Sequence, residues 1–165
     1  MDPHWADLLT DRQVVGAYYT VLPPLQGIAL RSVHLERVGP GLVLRFALPV
    51  FPDRPPPAWA GAGYDRFECR LEFFGVADLD WRGWAAGAVA DVRLAREPRR
   101  RVRAEVAADG VDLRFTASDA LRAGRPSAYR VDGTVERHSY TGAVDRHRLG
   151  DGAAEAWDRS FHGRV

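Results

Sequence analysis

Apolar and polar positions alternate with a period of two through most of the middle of this chain. Leu42, Leu44, Phe46 and Leu48 alternate with Val43, Arg45 and Ala47, the pattern of a strand with one buried face. Phe67, Cys69, Leu71 and Phe73 repeat it against Glu68, Arg70, Glu72 and Phe74. Gly75 breaks that run, and Val76, Leu79 and Trp81 continue it after a bend. Upstream, the pair Ile28 and Leu30 is out of phase with the pair Val33 and Leu35. One extra residue near Arg31–Ser32 restores a single buried face, so a β-bulge is predicted there.

Shorter alternating runs follow at 89–94, 101–107, 111–117 and 129–135, separated by Arg96-Glu97-Pro98, Asp109-Gly110 and Asp132-Gly133, which are turn chemistry. The segment from Arg101 to Ala117, folded at Asp109-Gly110, is the clearest hairpin; Gly39-Pro40-Gly41 marks another. The start of the chain has a helical period instead. Asp2-Pro3 predicts a cap and first turn for a helix presenting Trp5, Leu8 and Leu9. Asp11 is a candidate cap for a second turn carrying Val14, Val15, Tyr18 and Tyr19, which Pro23-Pro24 ends.

No strand alternates with a helix, which argues against a parallel α/β sheet. The prediction is a mainly β (α+β) fold: an antiparallel sheet of about eight short strands with a short helical N-terminus. Residues 1–137 are expected to form one globular domain. Over 138–165 the pattern fades into Gly, Ala, Asp and Arg, a C-terminal extension for which poor order is expected. Residues 49–66 hold five prolines, which bar them from a central strand, and Trp59 is the candidate pin for that long crossing.

Composition narrows the function classes. A chain of 165 residues is long enough for a real core. Its net charge of +1 points to neither nucleic acid nor a membrane surface as partner. All 23 basic residues are arginine, with no lysine, no asparagine and one isoleucine, Ile28. That combination tracks GC-rich codons, so the arginine count is not a binding signal. One cysteine, Cys69, leaves no internal disulfide, which suits a reducing cytoplasm. No apolar run reaches the roughly 18 to 20 residues of a membrane span. The start, MDPHWADLL, lacks the basic region of a secretion signal.

No constellation for catalysis emerges. Cys69 alternates inward beside Phe67 and Leu71 and reads as a small buried hydrophobe rather than a nucleophile. There is no nucleophile elbow, phosphate loop or dinucleotide fingerprint. The five histidines, His4, His34, His138, His147 and His162, are scattered, and no metal or cofactor is expected. Asp78 and Asp80 share a strand face and fit either an acid–base pair or solvated residues opposite Leu79 and Trp81. Arg96 to Arg103 form a basic cluster that fits a solvated turn better than a phosphate contact, since no aromatics interleave it.

Between Phe46 and Trp84 the order of features resembles a known family. An apolar strand, a crossing with Pro56, Pro57 and Trp59, the strand FECRLEFFGV and the corner DLDWRGW with Gly83 and Trp84 look like the immunity protein 50 family of bacterial polymorphic toxin systems. Trp5, Pro23-Pro24 and LRSVHLERVGPGLVLRF fit as well, and the likeness covers residues 4–117. The resemblance implies a cytoplasmic, non-catalytic protein that binds and neutralises a cognate toxin encoded beside it. It implies no established contact residues. Phe74, Asp78, Asp80 and Trp81 are the candidates for partner contact, and Pro56, Pro57, Trp59, Gly83 and Trp84 form the structural motif. The alternative is a small ligand-binding β-domain or an enzyme, with Asp78, Asp80 and an adjacent His34 in an aromatic-lined sheet. No pattern decides the oligomeric state.

Overall fold

The computed structural model describes residues 2–85 and 87–153. A single turn of 3-10 helix at Trp5–Leu8 and the short helix α1, Gln13–Gly16, precede the sheet. The strands are β1 (Ile28–Glu36), β2 (Gly41–Leu48), β3 (Arg66–Phe74), β4 (Ala77–Arg82), β5 (Val89–Glu97), β6 (Arg101–Ala108), β7 (Val111–Ser118), β8 (Arg122–Asp132) and β9 (Val135–Tyr140), and α2, Ala143–Leu149, follows. All nine strands join one sheet, in the order β4-β7-β6-β5-β1-β2-β3-β8-β9, and every pairing is antiparallel.

The mainly β antiparallel fold is as the alternation predicts, and the β-bulge falls between Leu30 and Ser32. Leu30 stands opposite Phe46 and Ser32 opposite Arg45, so Arg31 is the extra residue. Without it, Val33 would be turned away from the core that Ile28 and Leu30 enter. The ninth strand arises because the run expected as one strand is divided between β8, which begins earlier at Arg122, and β9. The expected strand at 129–135 stops at Asp132, where Gly133 takes a left-handed φ of 64°, and Val135 opens β9. The residue-137 boundary therefore falls inside β9, and residues 154–165 lie outside the described residues.

The β1–β5 ladder is the shortest in the sheet. β1 and β5 share only Ile28–Ala90 and Ala29–Val89, whereas β5 and β6 pair over eight positions. The sheet curls so that β3 meets β7, and the rings of Phe73 in β3 and Phe115 in β7 meet edge-on at 4.8 Å. The concave face holds the apolar core: Leu44, Phe46, Leu71, Val102, Ala104, Val106, Leu113 and Phe115 are among its buried side chains. The chain passes from β3 to the far edge at β4 through Gly75, whose carbonyl accepts from Arg101 Nη1 at 2.7 Å.

The N-terminal segment and the proline-rich crossing close the open side. Trp5 packs edge-on against Phe46 and donates Nε1–H to the Pro23 carbonyl at 2.8 Å. His4, not Asp2, caps the first turn, its Nδ1 accepting from Ala6 N–H. Asp11 does not cap α1 with its side chain; the carboxylate accepts from Ala123 N–H at 2.9 Å and ties the segment to β8. Backbone bonds between Leu8, Thr10 and Leu121 reinforce that tie. In the crossing, Trp59 N–H donates to the Pro56 carbonyl at 2.9 Å, and the indole is 2% exposed between Tyr18, Phe51 and Phe67.

Trp59 therefore joins three segments distant in sequence. Trp59→Ala is expected to cost about 3–5 kcal/mol by removing a buried indole. Val131→Ala, at an exposed position, is expected to stay within about 0.5 kcal/mol of wild type. Urea denaturation midpoints of the two variants check this.

Candidate partner-binding surface

β4 is an edge strand in which every residue from Ala77 to Arg82 is exposed. Among the described residues it pairs with β7 alone. A further register shift lies between Ala77 and Asp80, where Asp78 takes a left-handed φ of 55°. The bulge leaves a short regular edge at Asp80–Arg82, a common way for proteins to limit strand-to-strand association.

The two aspartates have separate partners. Thr116 Oγ1 donates to Asp78 Oδ2 at 3.1 Å, while Arg82 reaches Asp80 at 3.3 Å. Arg114 and Asp112 form a parallel pair on β7, completing a solvated lattice of alternating charge. His34 sits on β1, with β5, β6 and β7 between it and β4 in the sheet order. A wide-mouthed cleft of about 550 Å³ lies elsewhere, between the N-terminal segment and β5, with Trp5, Leu25, Val92 and Leu94 in its walls.

Trp81 stands opposite Leu113 and so extends the core side of the sheet into solvent. Its ring meets Trp84 edge-on at 6.2 Å, and its Nε1–H donates to the Gly83 carbonyl at 2.8 Å. The two indoles are 37% and 43% exposed. Gly83 makes this corner possible: φ is +76°, and a Cβ there would lie 2.1 Å from the Gly110 carbonyl of the β6–β7 turn. Phe74 is also exposed but precedes the Gly75 turn. Phe74 ends β3 and Trp81 lies in β4, so the two belong to different strands.

The Arg96–Arg103 cluster is largely paired. Arg96 and Arg100 approach Asp119 at 3.6 and 3.5 Å, Arg103 pairs with Glu97, and Arg101 binds Thr116 Oγ1 at 2.8 Å.

A second constellation was not legible from the alternation. On the convex side of β1, β2, β3, β8 and β9, positions that alternate outward are buried, among them Arg45, Glu68, Arg70, Ser127 and His138. His138 lies between Tyr129 and Tyr140, stacked at 4.8 and 5.7 Å, each pair 13° from parallel. Its Nδ1 is 3.0 Å from Ser127 Oγ and its Nε2 is 3.1 Å from Glu136 Oε2. The neutral tautomer that satisfies both accepts from Ser127 and donates from Nε2 to Glu136. Ser127 is fully buried, so this serine–histidine–glutamate chain acts as internal hydrogen bonding. Arg31, the bulge residue, pairs with Glu136, approaches Glu68 at 3.3 Å and lies over the Tyr129 ring at 4.9 Å. Among the described residues no group of three or more His, Cys, Asp or Glu is arranged to hold a metal ion.

Burial lowers the His138 pKa below the ordinary imidazole range, although Glu136 opposes the shift. Glu136 is held below the usual carboxylate range; burial alone would raise it, but its bonds with Arg31 and His138 prevail. The unfolded chain binds a proton at histidine as pH falls through about 6.5, while folded His138 does so only at lower pH. Its contribution is thus fully present above that pH and lost as pH falls toward the folded-state value. Thermal midpoints are expected to drop as pH falls below about 6.5, with a shallower drop in His138→Gln. Equal slopes would assign the pH dependence to another group. At the β4 corner, Gly83→Ala is expected to cost at least about 1–3 kcal/mol through backbone strain, with altered tryptophan fluorescence as a second readout.

No curated protein and no solved structure matches the chain. Among the described residues no helix is long and apolar enough to cross a membrane. The family model for Immunity protein 50 matches residues 11–120, from just before α1 to just after β7, and so includes β4, Gly83 and the Trp81–Trp84 pair. With two thirds of its length matched, the chain belongs to the immunity protein 50 family.

Proposed function

We propose that this protein binds a cognate toxin of a bacterial polymorphic toxin system in the cytoplasm and neutralises it by covering its working surface, without catalysis. Membership of the immunity protein 50 family carries the reading. The exposed surface of β4 supports a contact role for Asp78, Asp80 and Trp81, and Phe74 offers a separate apolar contact. Tight inhibitory interfaces bury about 1,600 Å² in total and concentrate their energy in a few aromatic and arginine anchors. Trp81 suits such an anchor because the Gly83 turn and the Trp84 ring already hold it in place, which reduces the ordering cost of association. Pro56, Pro57, Trp59, Gly83 and Trp84 chiefly shape the scaffold, and the charged lattice of Asp80, Arg82, Asp112 and Arg114 would tune partner choice.

Co-expression with the toxin-domain protein encoded beside it tests the function: growth rescue and a stable co-purified complex are expected. A toxic neighbour that stays toxic while this protein is soluble and abundant would refute that pairing. For the surface, Trp81→Ala is expected to weaken the complex about tenfold or more, and Asp80→Arg to alter its salt dependence. If neither substitution changes affinity or salt dependence, the contact lies elsewhere; an unchanged affinity in Phe74→Ala removes Phe74.

A further inference from the structure

Two hairpin turns of this sheet place glycine where the backbone is left-handed: Gly110 between β6 and β7 at φ 78°, and Gly133 between β8 and β9 at φ 64°. The β5–β6 turn does not. After Pro98, Arg99 and Arg100 stand in succession at φ 61° and 58°. A side chain in that region crowds its own backbone, a cost in folding that glycine does not carry. GC-rich codons do not explain the choice, because glycine codons are as rich in G and C as those of arginine. Backbone strain of this kind persists where the surroundings hold it, and it gathers at sites of function.

The surroundings do hold this turn. The Arg100 carbonyl accepts from Asp119 N–H at 3.0 Å. Arg101, at the base of the turn, donates from Nη1 to the Gly75 carbonyl and from Nη2 to Thr116 Oγ1. Five arginines lie between positions 96 and 103, and Glu97 and Asp119 are their ion-pair partners, so positive charge is in excess. Asp119 is shared between Arg96 and Arg100, and the Arg100 side chain is 85% exposed. Arg99 is exposed and makes no ion pair or hydrogen bond among the described residues. The bond from Arg101 to Gly75 also sets the turn at the same end of the sheet as Phe74, the exposed residue before Gly75.

We propose that the β5–β6 turn is a cationic contact through which Arg99 and Arg100 meet an acidic surface of the partner protein, an inference that rests on the toxin-binding reading. A turn held from both sides presents its side chains at a lower ordering cost than a loose loop. Arginine suits the task because its planar fork can pair with one carboxylate through two hydrogen bonds, and it is enriched among the anchors of tight interfaces. Nucleic acid is the poorer match. Sequence-independent binding neutralises a run of phosphates along a basic stripe, whereas here the surplus is confined to one turn of a chain with net charge +1.

The test uses the full-length protein and the toxin-domain protein encoded beside it, with association and dissociation rates measured at low and high salt. Arg99→Asn/Arg100→Gly removes both charges and supplies residues that suit a left-handed backbone, so it is expected to melt no lower than wild type. Its association is expected to be about tenfold slower at low salt, with most of the difference lost at high salt. Arg99→Lys/Arg100→Lys keeps the charge and is expected to associate within about threefold of wild type. Unchanged rates and salt dependence in the Asn-Gly variant, with a stable wild-type complex, overturn this contact and leave the function standing. If wild type forms no complex with a toxic neighbour, that pairing and this contact fall together. An equal slowing in the lysine variant assigns the effect to the shape of the turn and overturns a role for its charge. Should the Asn-Gly variant melt below wild type, Arg99→Gln decides by the same rates. Binding of a short DNA duplex that is lost in the Asn-Gly variant would assign the turn to phosphates and overturn the acidic-protein reading.

Discussion

The fold depends on one nine-stranded sheet curling until β3 meets β7, strands that lie far apart in its order. Ile28–Ala90 and Ala29–Val89 are the ladder pairs that join β1 to β5, and backbone bonds from Leu30 to Ala88, from Gly87 to Leu30 and from Val92 to Leu25 flank them. The halves of the sheet bury their apolar faces against each other, with Phe73 on Phe115 at the closure. The N-terminal segment and the proline-rich crossing complete that closure. Their work is to cover apolar surface that two facing half-sheets leave open, which is why Trp5 and Trp59 lie in loops and short turns and yet are buried.

The bulge at Arg31 couples this core to the opposite face. One inserted residue keeps Ile28, Leu30 and Val33 facing the core, and it also turns a guanidinium into the convex network, where Arg31 joins Glu68, Glu136 and Tyr129. The two faces of the larger half-sheet therefore differ in kind. The concave face is held by apolar burial, which is tolerant of direction. The convex face is held by hydrogen bonds and charge, which are not. The smaller half keeps its outer face in water, with Asp112, Arg114, Asp80 and Arg82 paired at the surface.

The family match and the architecture divide the molecule in an informative way. Residues 11–120 carry both halves of the bent sheet and the β4 corner, whereas β8, β9 and α2 lie beyond the match. Those later elements supply Ser127, Tyr129, His138 and Tyr140, so the buried polar face draws on both parts. The β4 corner depends on matched residues alone, down to the close approach of Gly83 to Gly110.

Much of this architecture was legible in the sequence, because a period of two is a local property that each strand displays by itself. The antiparallel β class, the Asp109-Gly110 hairpin and the bulge at Arg31 all follow from alternation and turn chemistry. The split between β8 and β9 was missed because the strand at 129–135 was carried through Asp132-Gly133, the very pair that turns the chain. The exposure of β4 and the burial of Arg45, Glu68, Arg70 and His138 were not legible either. Alternation tells which residues share a face but not what lies against that face. The sequence by itself determined most of the strands, their phases and the family. Only the tertiary structure decided that the sheet brings β3 onto β7, that β4 is left at an open edge and that Arg45 and Arg70 are shut away from water, because each of these is set by contacts between segments far apart along the chain.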